Sequence, residues 1–226
     1  MPPAGAAIVI PADRTVVLDQ NVELGSLVIN GALVFADKDL SLSATSILVR
    51  GRLTVGTAAS PYTRRGTITL TGASTGPSPA GFGNKFLGVD GNGVLDIHGE
   101  VNRTPWTQLA ATANVGSSQI TVLNAQGWRV GDKIAVAPSD FEPREHEQRL
   151  ITAISGTTLT LDKPLAYRHW GETEQHAGQV LDMRAEVALL SRNIVLTSDA
   201  AAYPAYGGHI MAMGKGTVRI DGAEIT

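Results

Sequence analysis

A nine-residue stretch recurs twenty positions further along the chain: Leu27-Val28-Ile29-Asn30-Gly31-Ala32-Leu33-Val34-Phe35 returns as Ile47-Leu48-Val49-Arg50-Gly51-Arg52-Leu53-Thr54-Val55. Each copy alternates apolar and other residues, stops at a glycine and resumes, so a strand bends at the glycine and a second strand follows. A looser copy, Val218-Arg219-Ile220-Asp221-Gly222-Ala223-Glu224-Ile225, stands near the end of the sequence. A unit this short cannot bury its inward face alone and must stack on an equivalent neighbour, which is the logic of a β-solenoid. Ile29, Leu33, Val49 and Leu53 are then expected to point inward and stack in register.

A chain of 226 residues holds one large all-β domain or two smaller ones, with a substantial core. Charged residues make up only 17%, and 25 Gly and 11 Pro punctuate the sequence, which predicts many short strands and turns. No helical period stands out. The formal net charge of −3 argues against a general nucleic-acid binder, so an acidic polymer would have to be met by a local patch. The absence of Cys removes disulfides and thiolate metal sites. No apolar run has membrane-spanning length, so membrane insertion is not expected. Met1–Ala7 has neither a basic n-region nor an apolar h-region, so no signal peptide is expected in these residues.

Turn residues separate strands at Ile8–Ile10, Thr15–Leu18, Leu27–Phe35, Ser46–Val55 and Gly66–Thr71, followed by a loop over Gly72–Gly83 and a further rung through Phe86–Val89 and Gly93–Gly99. The pattern then changes. Ser117–Leu123, Lys133–Ala137, Arg149–Ile154 and Thr157–Leu161 read as antiparallel strands with a turn at Ile154-Ser155-Gly156-Thr157. The predicted organisation is coils over 1–103, an inserted antiparallel β subdomain over 104–179, and resumed coils over 180–226. The last strand lacks a polar cap, so the natural protein is expected to continue beyond Thr226, with the remainder of its own β-helix as a partner.

The stretch Ile8-Val9-Ile10-Pro11-Ala12-Asp13-Arg14-Thr15-Val16-Val17-Leu18-Asp19, with the two coils and Leu53-Thr54-Val55-Gly56-Thr57, resembles the extracellular domain named for its eight glycines, the G-eight domain. That domain occurs in fibrocystin and in the cell-migration-inducing, hyaluronan-binding protein and its transmembrane relative. Leu95-Asp96-Ile97-His98-Gly99, Trp106-Thr107, Val130-Gly131-Asp132, Arg168-His169-Trp170-Gly171-Glu172 and Met183–Ile194 are similar to the segment that follows it in the hyaluronan-related proteins. The resemblance implies an all-β fold, a right-handed parallel β-helix, with an extracellular or cell-surface setting and an acidic polysaccharide such as hyaluronan as partner. The missing Cys and the Ala-rich background point to a bacterial relative with its own polysaccharide. The family's downstream His-rich segment has no counterpart here, so this chain alone is expected to be inactive, with any hydrolase or lyase activity residing in the longer parent.

Glycosidases need two opposed carboxyl groups, and lyases need a base together with a cation for the uronate carboxylate. The densest ionisable stretch is Asp140–Arg149, in which an extended chain would put Glu145, Glu147 and Arg149 on one side and Arg144, His146 and Gln148 on the other. It reads either as a solvated edge strand or as an acid–base site with Glu145 and His146 as candidates. Arg168, His169, Trp170 and Glu172 assemble a cation, an imidazole, an aromatic and a carboxylate, either for sugar contacts or as a loop clamp; His169 is the third catalytic candidate. His98, Arg103 and Trp106 offer a similar set, with Trp106 alternatively plugging a junction and His98 alternatively facing a rung. Together with Arg149 these are the candidate substrate-binding residues. The scattered His residues and the lack of an Asp-rich loop give no metal motif and no evident cofactor, and only a Ca²⁺ site built from distant loops stays open.

Overall fold

The computed structural model describes residues 2–75, 81–199 and 205–226, so residues 76–80 of the loop expected over 72–83 lie outside the described residues. The chain forms two compact units, one from residues 1–101 and 192–226 and the other from 102–191. Among the described residues both are built of strands, with no helix long and apolar enough to cross a membrane.

The first unit consists of two parallel sheets. One contains β1 (Ala6–Ile10), β3 (Val22–Ile29), β5 (Leu40–Val49), β7 (Gly66–Leu70), β8 (Phe86–Val89), β18 (Ile194–Ser198), β19 (His209–Ala212) and β21 (Ala223–Ile225). The other stacks β2 (Thr15–Leu18), β4 (Ala32–Phe35), β6 (Arg52–Val55), β9 (Val94–His98) and β20 (Thr217–Asp221) in that order. The twenty-residue repeat is the register itself: Leu27 pairs with Ile47, Ile29 with Val49 and Leu33 with Leu53. Ile29, Val49 and Leu53 are fully buried and Leu33 nearly so, because alternation turns one face of each strand into the shared core.

Gly31 and Gly51 make the bend from the first sheet to the second, and they stack. A Cβ on Gly51 would lie 1.9 Å from the Gly31 carbonyl oxygen, so the coils approach too closely there for any side chain. The looser copy near the end obeys the same strand–glycine–strand rule at the opposite bend. Its first strand, β20, lies in the second sheet and its second, β21, in the first, with Gly222 at φ +64 between them.

The second unit is a six-stranded antiparallel sheet in the order β10 (Trp106–Gln108), β17 (Glu186–Leu189), β12 (Lys133–Val136), β13 (Glu147–Ser155), β14 (Thr158–Leu161) and β11 (Gln119–Thr121). A bridge between Leu109 and Val122, just beyond the two edge strands, curls the sheet back on itself over a core that includes Trp128, Ile134, Val136, Leu159 and Val187. A separate hairpin joins β15 (Thr173–His176) to β16 (Gln179–Asp182). The expected subdomain boundary at 179 therefore moves to 191. β17 reads as a returning coil in sequence, but it pairs antiparallel with both β10 and β12 and so belongs to the insert.

Candidate functional site

In the second unit the chain leaves β14 through Pro164, buries Leu165 and enters a loop over residues 166–172 whose backbone is fixed from every side. Glu147, the first residue of β13, is buried and accepts hydrogen bonds from the amides of Ala166 (2.9 and 3.0 Å) and Tyr167 (2.9 Å). It also pairs with the Arg149 guanidinium and lies 3.1 Å from His169 Nε2. His169 bridges Ala113 through its backbone, its Nδ1 lies 2.9 Å from the Ala137 carbonyl, and its side chain is fully buried. The Trp170 amide donates to Ser139 Oγ at 2.8 Å, and Gly171 packs so closely on Ala111 that a Cβ would sit 2.1 Å from its backbone. Burial alone would push the Glu147 carboxyl up, but the two amides, His169 and Arg149 outweigh it and hold the group below the usual carboxylate range.

What this framework presents to solvent is Tyr167, Arg168 and the edge of Trp170. The Arg168 guanidinium stacks over the Trp170 ring at 4.8 Å, and its N–H groups make no hydrogen bond among the described residues. The indole Nε1 of Trp170 is buried without a hydrogen-bond partner, so the ring acts as a platform for the cation. A planar fork of donors with no hydrogen-bond partner among the described residues thus lies on an aromatic face, on a loop held in place by buried hydrogen bonds. Glu172 sits at the end of the loop, exposed, and accepts from Thr112 Oγ1 at 3.1 Å.

The remaining sequence candidates fall elsewhere. Both ring nitrogens of His169 face acceptors in the interior, so it clamps the loop and offers nothing to a substrate. Arg149 is likewise engaged by Glu147 and by the carbonyls of Lys163, Pro164 and Gln148. Glu145 ends a short 3-10 turn, Pro143–Glu145, and His146 is exposed beyond it, so the expected extended alternation starts only at Glu147. Arg103 is buried, with its guanidinium on Asp132 and on the Gly127 carbonyl at 2.9 Å; it ties the insert together and has no exposed fork for a ligand. Trp106 is 55% exposed on edge strand β10 and plugs nothing within its unit.

His98 lies in the first unit, on the outer face of the second sheet, in a cluster that sequence reasoning did not assemble. Its Nε2 is 2.8 Å from Asp96 Oδ1, and the same carboxylate accepts from Arg52 and Arg219, each at 3.0 Å. The Arg219 hydrogen bonds, aided by His98, hold the Asp96 carboxyl down at about 2 against burial. The repeat carried the missing signal: it sets Arg52 two residues before Thr54, the β6 residue that registers with Asp96, and so on the same face. Among the described residues no group of three or more potential ligands is placed to hold a metal ion.

Residues 1–110 match the family model of the G8 domain. Fibrocystin-L of Mus musculus is 38% identical over 204 residues, covering 86% of this chain and 5% of its own length. A G8 domain-containing protein of Dictyostelium discoideum is 32% identical over 232 residues, covering 96% of this chain and 20% of its own. The chain thus spans between a twentieth and a fifth of the length of these two relatives. Among solved structures, the tailspike of Pseudomonas phage phi297 aligns with 86% of this chain and 28% of its own at a TM-score of 0.34 and 14% identity. The chain carries a G8 domain in residues 1–110 and, over most of its length, is similar to Fibrocystin-L and to G8 domain-containing proteins.

Proposed function

We propose that this chain is an extracellular or cell-surface recognition module that binds an acidic polysaccharide of hyaluronan type, forming part of a longer exported right-handed β-helix protein. The observation that carries the reading is Arg168: a guanidinium with unengaged N–H groups, stacked on Trp170, on a loop locked by buried hydrogen bonds. Such a locked loop loses little entropy on binding, and the stacked cation suits a uronate, which combines a carboxylate with a C–H face. Recognition is favoured over catalysis by this chain because His169, the catalytic candidate on the same loop, is engaged internally at both nitrogens. Depolymerisation, as the resemblance implies it, is assigned to the parent protein.

The test is titration of hyaluronan oligosaccharides at increasing salt into the native chain and Arg168→Ala. Affinity should fall with salt, and the substitution should weaken it roughly tenfold or more, the value of a charge-assisted hydrogen bond. The melting temperature should change little, since Arg168 contributes to the fold through its stacking on Trp170, worth about 0.5–1 kcal/mol at an exposed site. Salt-independent binding, or equal affinity in the variant, would refute the assignment.

A further inference from the structure

The cluster around Asp96 has a chemistry of its own. In β9, Leu95 and Ile97 are fully buried, so Asp96 and His98 share the opposite, outward face. Register sets Arg219 of β20 directly beside Asp96, and Arg52 of β6 reaches it from the other side. The Asp96 carboxylate is only 12% exposed, whereas the Arg52 and Arg219 side chains are 47% and 49% exposed. Arg52 uses one nitrogen on Asp96 and Arg219 uses two, which leaves N–H donors on both guanidiniums without a partner among the described residues.

An ionised carboxylate only accepts, so the ring nitrogen of His98 that faces it must be the donor. In the neutral ring this leaves the lone pair on Nδ1. Nδ1 has no hydrogen-bond partner among the described residues, and the His98 side chain is 12% exposed. The outer face therefore offers two cationic forks beside one acceptor. Asp221, in register with His98, adds negative charge at that end and directs an anion towards the arginines.

We propose that Arg52, Arg219 and His98 form a second subsite, for a sugar acid: the guanidiniums take the carboxylate, and His98 Nδ1 accepts a hydrogen bond from a hydroxyl of the same residue. Asp96 is the positioning residue, fixing both arginines and the His98 tautomer. Free sulfate brings only acceptors and would leave Nδ1 facing lone pairs, whereas a uronate brings a carboxylate and hydroxyl donors together in one residue. The inference rests on the acidic-polysaccharide reading only for its choice of ligand.

The test uses the full chain carrying Arg168→Ala, so that the Trp170 site is silent. At a pH where the ring is neutral, side-chain ¹⁵N spectra should show His98 carrying its proton on Nε2 and bare at Nδ1. Adding a hyaluronan oligosaccharide should shift the Nδ1 signal, while its carboxyl-reduced counterpart and inorganic sulfate should not. Arg52→Ala should weaken this response at least fivefold with the backbone amide spectrum retained, and Arg52→Lys should recover part of it. An unmoved His98 signal, an equal response to inorganic sulfate, or an Arg52→Ala protein that responds like its parent would overturn the proposal. Failure of the Arg168 reading would instead appear as unchanged affinity on Arg168→Ala alone, whatever His98 does.

Discussion

Replacing Glu147 by Gln keeps the shape of the side chain and removes its charge, which isolates what holds the 166–172 loop in place. With its carbonyl at the Oε1 position, Gln can still accept from the amides of Ala166 and Tyr167, but the oxygen facing Arg149 becomes an amide donor. The Arg149 side chain is 13% exposed, so its cation would be left almost buried beside a donor. Breaking a buried pair from one side costs about 3–5 kcal/mol. For the second unit, residues 102–191, total stability should be roughly 5–13 kcal/mol at ordinary values per residue. The loss is thus a large fraction of the whole, and the melting transition of this unit should fall by at least about 12 °C.

Two further signatures separate this mechanism from general damage. Amide exchange at Ala166 and Tyr167 should accelerate before the sheet strands lose protection, because the loop depends on Glu147 more directly than the ladder does. The double variant Glu147→Gln with Arg149→Met should recover at least about 1 kcal/mol, since removing both charges leaves none unpaired. The pH dependence has a definite sign. Because the folded-state pKa of Glu147 lies below its unfolded value, the stabilisation is complete above about pH 4.5 and disappears as pH falls through the folded value. The gap between native chain and variant should therefore narrow in acid. A denaturation midpoint within about 0.5 kcal/mol of native at pH 7, or a gap that widens in acid, would show that the clamp is not what fixes the loop.

In the first unit, Leu53 is fully buried between Leu33 and Leu95 of the adjacent coils, so Leu53→Asp should abolish its cooperative unfolding transition; retained native melting would mean that the stacking is wrong. Gly51→Ala forces a Cβ onto the Gly31 carbonyl and should destabilise the same unit by about 2 kcal/mol or more in urea titrations. The Asp96 carboxyl, held at about 2, contributes stability that is present above its unfolded value of about 3.8 and is lost as pH falls towards 2. Its half-exposed arginine partners reduce that contribution to on the order of 1 kcal/mol, and acid melts of Asp96→Asn should lack this step. Finally, the purified chain should release neither new reducing ends nor unsaturated products from hyaluronan, chondroitin or alginate, with or without Ca²⁺. Turnover that disappears in Glu145→Gln or His169→Ala would reverse that conclusion.

Much of the first unit was legible from the chain alone, because in stacked parallel strands the register is a fixed sequence offset. Once Leu27–Phe35 recurs twenty residues later, the partners of Leu27, Ile29 and Leu33 follow, as does the need for glycine where the coils touch at Gly31 and Gly51. The change of pattern after Trp106 marked the insert, but its end was misplaced, since Glu186–Leu189 alternates like a coil strand and only its antiparallel partners reveal where it belongs. Site chemistry was the least legible. Arg103, Arg149 and Arg168 are alike as residues in sequence, yet the first two are engaged inside the fold and only the third keeps its donors for solvent. His98 was visible as a residue, but the arginines that share its partner Asp96 stand 46 positions before it, in Arg52, and 121 after it, in Arg219. Local periodicity determines which residues face inward, because alternation is a property of the strand itself. Which charges meet, and which remain free, is decided only when strands distant in sequence stack side by side.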